Sequence, residues 1–272
     1  MKNIEIKNIF KLCKFNLSTS RKQIIGWTVA IFAIMSLYMI LFPAMQDLAQ
    51  AKFDAMPKEL LQFVGMQDMS DMSNYITYYS MIYTILLVAV SIFSASFSAK
   101  LITKEESTKS IEFLNSLAVS RSEIYISKYC TSLVAITIVI LFATLSAIVC
   151  GFIGGGETFV LSDIIASVKI TSFTAYLFGG IALMLAGIST KVGSGAIVSS
   201  VVVASYMLGY LGQLLEDKGD VLLYFSPFVT LNVQDAVLLT DRLVLSLSIY
   251  FIVYIIALVV GGVYYNKRDM QL

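Results

Sequence analysis

Residues 129–153 read YCTSLVAITIVILFATLSAIVCGFI, 25 consecutive residues without one charged side chain. A helix needs about 20 apolar residues to cross a hydrocarbon core roughly 30 Å thick. Inside that core every backbone polar group must find its partner within the segment, which a helix provides and an open strand does not. The run therefore predicts a transmembrane helix. Working outward, five further stretches have the same character, at Ile24–Phe42 and Tyr75–Ala99 before it and at Ile170–Ile188, Gly195–Leu215 and Leu243–Tyr265 after it. The expected fold class is all-α integral membrane with six transmembrane helices, and an even number of crossings puts both termini on one side.

The composition agrees. Apolar residues make up 58% of the chain and charged residues 14%, with a mean hydropathy of +0.82, whereas a soluble domain is about half apolar and a quarter charged. A length of 272 residues accommodates six crossings and short connections but no additional soluble domain of ordinary size. Residues 1–272 are expected to form one membrane domain. The first 23 residues carry charges throughout and end in no small-residue cleavage site, so a removable signal peptide is not expected.

Several function classes lose their chemistry at this stage. The chain has no histidine, which removes the commonest general base, the usual zinc ligand and every Ser/His or Cys/His pair. Cys13, Cys130 and Cys150 are dispersed and read as packing residues. No catalytic residue, metal ligand or cofactor site is expected on this chain. A net charge of +1 provides no basic field for nucleic acid. The partner that composition does call for is the lipid bilayer.

Charge placement sets the expected orientation. With the N-terminus inside, 14 of the lysines and arginines fall in inner segments and 5 in outer ones, while 6 acids lie inside and 12 outside. The positive-inside rule then puts both termini in the cytoplasm of a cell carrying this protein in its cytoplasmic membrane. The acidic outer rim serves solvation, with attraction of a cationic substrate as the alternative.

Two inner segments carry the mechanical reading. In residues 1–22, Ile6, Ile9, Phe10, Cys13 and Leu17 share one helical face and Lys7, Lys11 and Lys14 another, the pattern of an amphipathic interfacial helix. It acts as a plain anchor or as an elbow touching a cytoplasmic motor. Residues 103–123 form the longest charged inner segment. Thr103 with Glu106, and Ser120 with Glu123, both fit the S/T-x-x-E capping box. The first would open a short helix with Ile111, Leu114 and Leu117 on its apolar side, and the second would open the helix that becomes the third crossing. Such a knuckle fits a coupling helix between crossings 2 and 3 through which force reaches the bundle; a merely capped interhelical loop has the same periodicity.

The run EESTKSIEFLNSLAVSRSEIYISKY, residues 105–129, resembles the loop after the second crossing of ABC-2-type exporter permeases. Glu106, Thr108, Leu114, Leu117, Ser120, Arg121, Glu123 and Lys128 match that pattern, with Ala118 where the family usually has proline. YFSPFVTLNVQDA at residues 224–236, inside the expected outer segment 216–241, is similar to the family's Ser-Pro-Phe element, and the ending YYNKRDMQL is similar to its usual aromatic and Arg-Asp terminus. The resemblance implies a permease subunit of an ATP-driven exporter that pairs with a second permease chain, identical or homologous, and with an ABC ATPase in two copies. It implies a coupling segment from about Lys104 to Leu117, with Glu105, Glu106, Ser120 and Arg121 contacting the ATPase. ATP and Mg would sit on the partner, since the glycine-rich GGGETF at Gly154 and the Gly-Ser-Gly at Gly193 lack the lysine of a phosphate loop. By the same likeness the cargo is an amphipathic or hydrophobic drug or antimicrobial peptide.

Two rivals from other classes bound this reading. An ion-coupled secondary carrier needs ionisable groups inside the bundle and paired broken helices, and a membrane enzyme needs a nucleophile or an aspartate pair; neither pattern is visible in the sequence. An ATPase-coupled sensor or immunity module without net transport has the same sequence features as an exporter. Tyr75, Tyr78, Tyr79 and Tyr83 read as an aromatic belt at the outer interface, or as the lining of an exit in a dimer. Gly179, Gly180 and Gly187 read as close-packing positions, within the chain or between subunits. Pro227 with its aromatic neighbours reads as an interfacial piece, either an anchor or a lid.

Overall fold

A computed structural model describes residues 5–46, 74–107, 119–189, 193–215 and 220–267. Among them every regular element is helical: α1 (Ile6–Met39), α2 (Tyr75–Ser107), α3 (Arg121–Gly154), a 3₁₀ turn (Gly156–Thr158), α4 (Leu161–Thr171), α5 (Phe173–Ile188), α6 (Ser194–Leu214), α7 (Asp220–Leu223), α8 (Pro227–Thr230), α9 (Val233–Leu238) and α10 (Asp241–Lys267). Six spans are long and apolar enough to cross a bilayer: α1, α2, α3, α4 with α5 taken together, α6 and α10. All six expected crossings are present.

Most helices outrun the hydrophobic stretches that announce them. At 1.5 Å per residue the 34-residue α3 is about 51 Å long, well beyond the hydrocarbon thickness, so its first turns stand clear of the apolar core. The interfacial helix expected at residues 1–22 is not a separate element. From Ile6 the chain continues without a break into the first crossing, to Met39. Neither proline nor glycine stands between Leu17 and Ile24, so nothing interrupts the helical hydrogen bonding. The fourth crossing starts earlier than expected, at Leu161, and is jointed at Ser172. Ser167 and Thr171 donate back to the carbonyls of Ile164 and Ser167 at 2.9 and 2.8 Å, a habit that bends helices.

The middle of the bundle is α2 with α4–α5: 67% of the most apolar stretch of each is buried, against 22–28% in α1, α6 and α10. Glycines set the closest approaches. A Cβ on Gly187 would lie 2.7 Å from the Gly261 carbonyl oxygen, so α5 meets α10 backbone to backbone; one on Gly179 would lie 2.5 Å from Ser94 Oγ on α2. These positions serve packing within the chain. Ser94 completes its contact by donating to the Ala175 carbonyl at 2.6 Å.

The four tyrosines of α2 are not an interfacial belt. All are buried: Tyr75 1%, Tyr78 3%, Tyr79 0% and Tyr83 3% exposed. Tyr75 donates to the Ala147 carbonyl, Tyr78 to the Tyr38 carbonyl at 2.8 Å, and Tyr83 shares a hydrogen bond with Ser172 Oγ at 3.2 Å. Because neighbours surround α2, its tyrosines turn toward protein, and the hydroxyls of Tyr75, Tyr78 and Tyr83 cross-link the ends of α1, α3 and α5.

The segment 220–239 folds over that same end as three short helices. Tyr224 and Phe225 are exposed, whereas Ser226, Pro227 and Phe228 are buried. Phe228 stacks on Phe178 with ring centres 5.7 Å apart and meets the Tyr206 ring edge-on at 5.8 Å. Ser205 donates to the Phe225 carbonyl at 2.7 Å and Tyr250 to the Tyr224 carbonyl at 2.8 Å. The Ser-Pro-Phe element is thus wedged between α5, α6 and α10.

Candidate functional site

At the opposite end, the start of α1, the end of α2, the start of α3 and the end of α10 converge, and one carboxylate ties two of them together. Glu123 is 2% exposed. Ser120, the residue before α3, donates to Glu123 Oε2 through its backbone N–H at 2.6 Å and its hydroxyl at 2.9 Å, while its Oγ accepts from Glu123 N at 3.2 Å. This is the capping box expected at Ser120 and Glu123. The other carboxylate oxygen reaches α1: Glu5 N–H donates to Oε1 at 2.8 Å and Asn8 Nδ2 at 3.3 Å. Glu5 precedes the first turn of α1, so the positive ends of two helix dipoles point at one anion.

Glu123 lies ahead of the apolar run that begins at Tyr129. The Ser120 N–H foremost, then the Glu5 N–H, hold its carboxyl down at about 2 against the opposing effect of burial. It stays charged throughout the physiological range.

The first turn of α3 is also fastened to α10. Arg121 Nη1 donates to the Asn266 carbonyl at 3.3 Å and Ser122 Oγ to Asn266 Oδ1 at 3.2 Å. One turn on, Tyr125 donates to the Leu258 carbonyl at 3.2 Å and its ring packs against Tyr265 at 5.6 Å. Lys128, 1% exposed, reaches the Ile102 carbonyl of α2 at 3.5 Å and lies 5.9 Å from the centre of the Tyr265 ring. Glu123 and Lys128 are the buried charged side chains among the described residues, and both sit within the first eight residues of α3.

The residues expected to contact an ATPase divide accordingly. Ser120 and Arg121 stand at the head of α3, with the Ser120 hydroxyl engaged in the cap. Glu105 and Glu106 belong to the last turn of α2; their side chains, and residues 108–118 with the apolar stripe Ile111, Leu114 and Leu117, lie outside the described residues. The capping box expected at Thr103 and Glu106 does not form. Helix α2 runs through this point to Ser107, so Thr103 occupies a helix interior and its hydroxyl donates to the Ala99 carbonyl at 3.2 Å. Sequence reasoning found the Ser120–Glu123 cap but missed its reach to Glu5 and Asn8, 115 and more residues away. No local pattern signals that contact. Among the described residues no three His, Cys, Asp or Glu side chains are placed to hold a metal ion.

Residues 14–266 match the family model described as multidrug efflux system permease Rv1217c, C-terminal domain. The chain belongs to this family. The match runs from within α1 almost to the end of α10, so it takes in the apolar stretches of all six spans, the head of α3 and the end of α10, and leaves out Glu5 and Asn8. No curated protein matches the chain. As an efflux permease the protein is a multi-pass transmembrane transport protein.

Proposed function

We propose that this permease is the membrane-spanning half of an ATP-driven exporter in the cytoplasmic membrane, with both termini in the cytoplasm. A separate ABC ATPase, present in two copies, docks on residues 104–121 of each of two permease chains. The cargo is an amphipathic or hydrophobic drug or peptide. The observation that carries this reading is the Glu123 tie. Whatever moves the residues before Ser120 moves the head of α3, and through Glu123, Arg121 and Ser122 it pulls on the start of α1 and the end of α10. A motor pushing there would act on three helices through the side chains of Glu123, Arg121 and Ser122, two of whose bonds end on backbone groups of the neighbouring helices.

The absence of charged side chains from the middle of the described bundle favours an apolar cargo path over ion coordination. The chemistry of hydrolysis would belong to the ATPase; this chain would transmit displacement.

The test is reconstitution of the full chain with its ATPase in liposomes. Glu106→Lys is expected to abolish cargo-stimulated ATP hydrolysis while leaving insertion intact, and the pair Glu106→Lys with Arg121→Glu to do the same with an added loss at the Asn266 contact. Stimulation equal to wild type in both, or labelling of residues 104–121 from the outside only, would overturn the docking assignment. Transport that continues without ATP on an ion gradient would make the protein a secondary carrier instead.

A further inference from the structure

Helices α3 and α10 are joined at the Glu123 end of the bundle and part beyond it. Their contacts run from Arg121 and Asn266 up to Tyr129, whose hydroxyl accepts from the Tyr254 hydroxyl at 3.1 Å. Farther along, α3 turns to α1, where the Ser36 and Ser146 hydroxyls are 2.7 Å apart and Phe32 meets Phe142 edge-on. Helix α10 turns the other way, to α8, where Thr230 donates to Tyr250 at 3.2 Å. The gap between them bares one strip of α5: Phe173 and Tyr176 are half-buried, whereas Thr174, Ala175, Leu177 and Phe178 beside them are buried. On the two rims, Thr137 of α3 and Phe251 of α10 are exposed.

This groove lies within the hydrocarbon. Tyr129 opens the uncharged run 129–153. Thr137 follows two helical turns later, about 12 Å along the axis, and so near the middle of a core roughly 30 Å thick. Phospholipid headgroups stay outside that depth, so the molecule that meets the groove there is an acyl chain or a solute of the bilayer.

The hydrogen bonds along the groove decide between these two. Thr137 gives its one proton to the Leu133 carbonyl at 2.7 Å, so the 2.8 Å bond joining the Thr137 and Tyr176 hydroxyls has Tyr176 as its donor. The Tyr176 oxygen is left with acceptor capacity on the exposed side. Tyr129 is its converse. Its oxygen takes the Tyr254 proton, and its own proton has no acceptor among the described residues. A donor without an acceptor in apolar surroundings is costly, and an acyl chain answers neither group. Between them, Leu133 stands on the same line of α3, four residues from each. Opposite, Phe173 lies against Phe251 with ring centres 6.2 Å apart and meets Tyr254 edge-on at 5.5 Å. Aromatic walls of this kind favour flat rings.

We infer that the groove between α3 and α10, floored by α5, binds a lipid-soluble aromatic amphipath that enters from the bilayer. Its rings lie on Phe173, Phe251 and Leu133, an acceptor at one end takes the Tyr129 proton, and a donor at the other meets the Tyr176 oxygen. Binding does not rest on the exporter reading. The bound molecule's standing as cargo does, and in that case the groove is where cargo leaves the leaflet for the permease.

The experiment uses the full chain in phosphatidylcholine nanodiscs without ATPase or nucleotide. The probe is the ethoxyphenyl bisbenzimidazole dye, a flat fluorescent amphipath with ring N–H donors and ring nitrogen acceptors, and the readout is its anisotropy. Saturable binding above that of empty nanodiscs is expected. Tyr176→Phe and Tyr129→Phe each weaken it by several-fold, the effect of one neutral hydrogen bond, and Leu133→Trp, which fills the groove between the two hydroxyls, abolishes it. Leu37→Ala, on the lipid-facing side of α1 and 62% exposed in wild type, leaves it unchanged. Tyr176→Phe removes a donor and orphans none, so its melting temperature matches wild type and reports that the variant folds. No saturable binding, wild-type affinity in both tyrosine variants, or an equal loss in Leu37→Ala would overturn the inference. ATP-driven export of the dye is a separate measurement on the complex with its ATPase; its failure counts against the cargo role and leaves the site standing.

Discussion

Replacing Glu123 by alanine tests the tie directly. The substitution leaves two backbone donors without acceptors, Ser120 N–H and Glu5 N–H, which now sit 2.6 and 2.8 Å from the carboxylate oxygens. It also strips the capping box from α3, and loss of a helix cap costs about 1 kcal/mol. Ser120 is half-buried and Glu5 exposed, so water takes up part of what their N–H groups lose and the orphaned donors cost about 1 kcal/mol more. The two effects share one side chain and do not add fully, so a loss of about 1–2 kcal/mol is expected. Unfolding of the purified chain in detergent measures the total. Hydrogen exchange locates it, with faster exchange at the amides of residues 5–9 and 120–124 and little change at the Pro227 end. Glu123→Gln keeps the shape and one acceptor oxygen, and is expected to fall between alanine and wild type. If Glu123→Ala unfolds like wild type, or if exchange at Glu5 is unaltered, the carboxylate does not join α1 to α3 and the transmission argument fails.

The same carboxyl makes stability depend on acid. Its folded value of about 2 lies below the ordinary 4.5, so its contribution is complete above pH 4.5 and fades as pH falls toward 2; a pH series of unfolding midpoints should show this loss in wild type and not in Glu123→Gln. Gly187→Ala places a methyl group against the Gly261 backbone and should cost about 1–3 kcal/mol as overpacking. Gly26→Ala, in α1 with nothing within 4 Å of the added carbon, should instead gain about 0.5–1 kcal/mol from helix propensity; parallel thermal melts compare the two, and equal behaviour would refute the close approach of α5 and α10. Phe228→Ala empties a site flanked by Phe178 and Tyr206 and should lower stability by about 3 kcal/mol in the same melts.

The six crossings are legible in the sequence because hydropathy reports directly on the solvent a helix must cross. Helix ends are less so. Hydropathy falls where the bilayer stops, but hydrogen bonding does not, and α2 therefore continues past Thr103, where S/T-x-x-E spells a start that the unbroken backbone overrides. The tyrosines of α2 were ambiguous for a related reason. Tyrosine suits an interface and a protein partner equally, and only the neighbours of the helix decide between them. The Ser120–Glu123 cap could be read because its partners are three residues apart, whereas the reach of Glu123 to Glu5 and of Arg121 to Asn266 spans most of the chain. The hydroxyl pairs Tyr129–Tyr254 and Tyr176–Thr137 gave no signal at all, since their members stand on different helices and meet only in the fold.

The continuity of α1 limits how the protein can answer its bilayer. A crossing preceded by a separate surface helix has a joint, and the joint lets each part follow its own leaflet. A stiff rod of 34 residues has no such freedom: when the membrane thins or thickens, tilting is the adjustment left to it. Because the foot of that rod is bonded to the head of α3, any tilt is shared with its neighbour, and the pair must lean together.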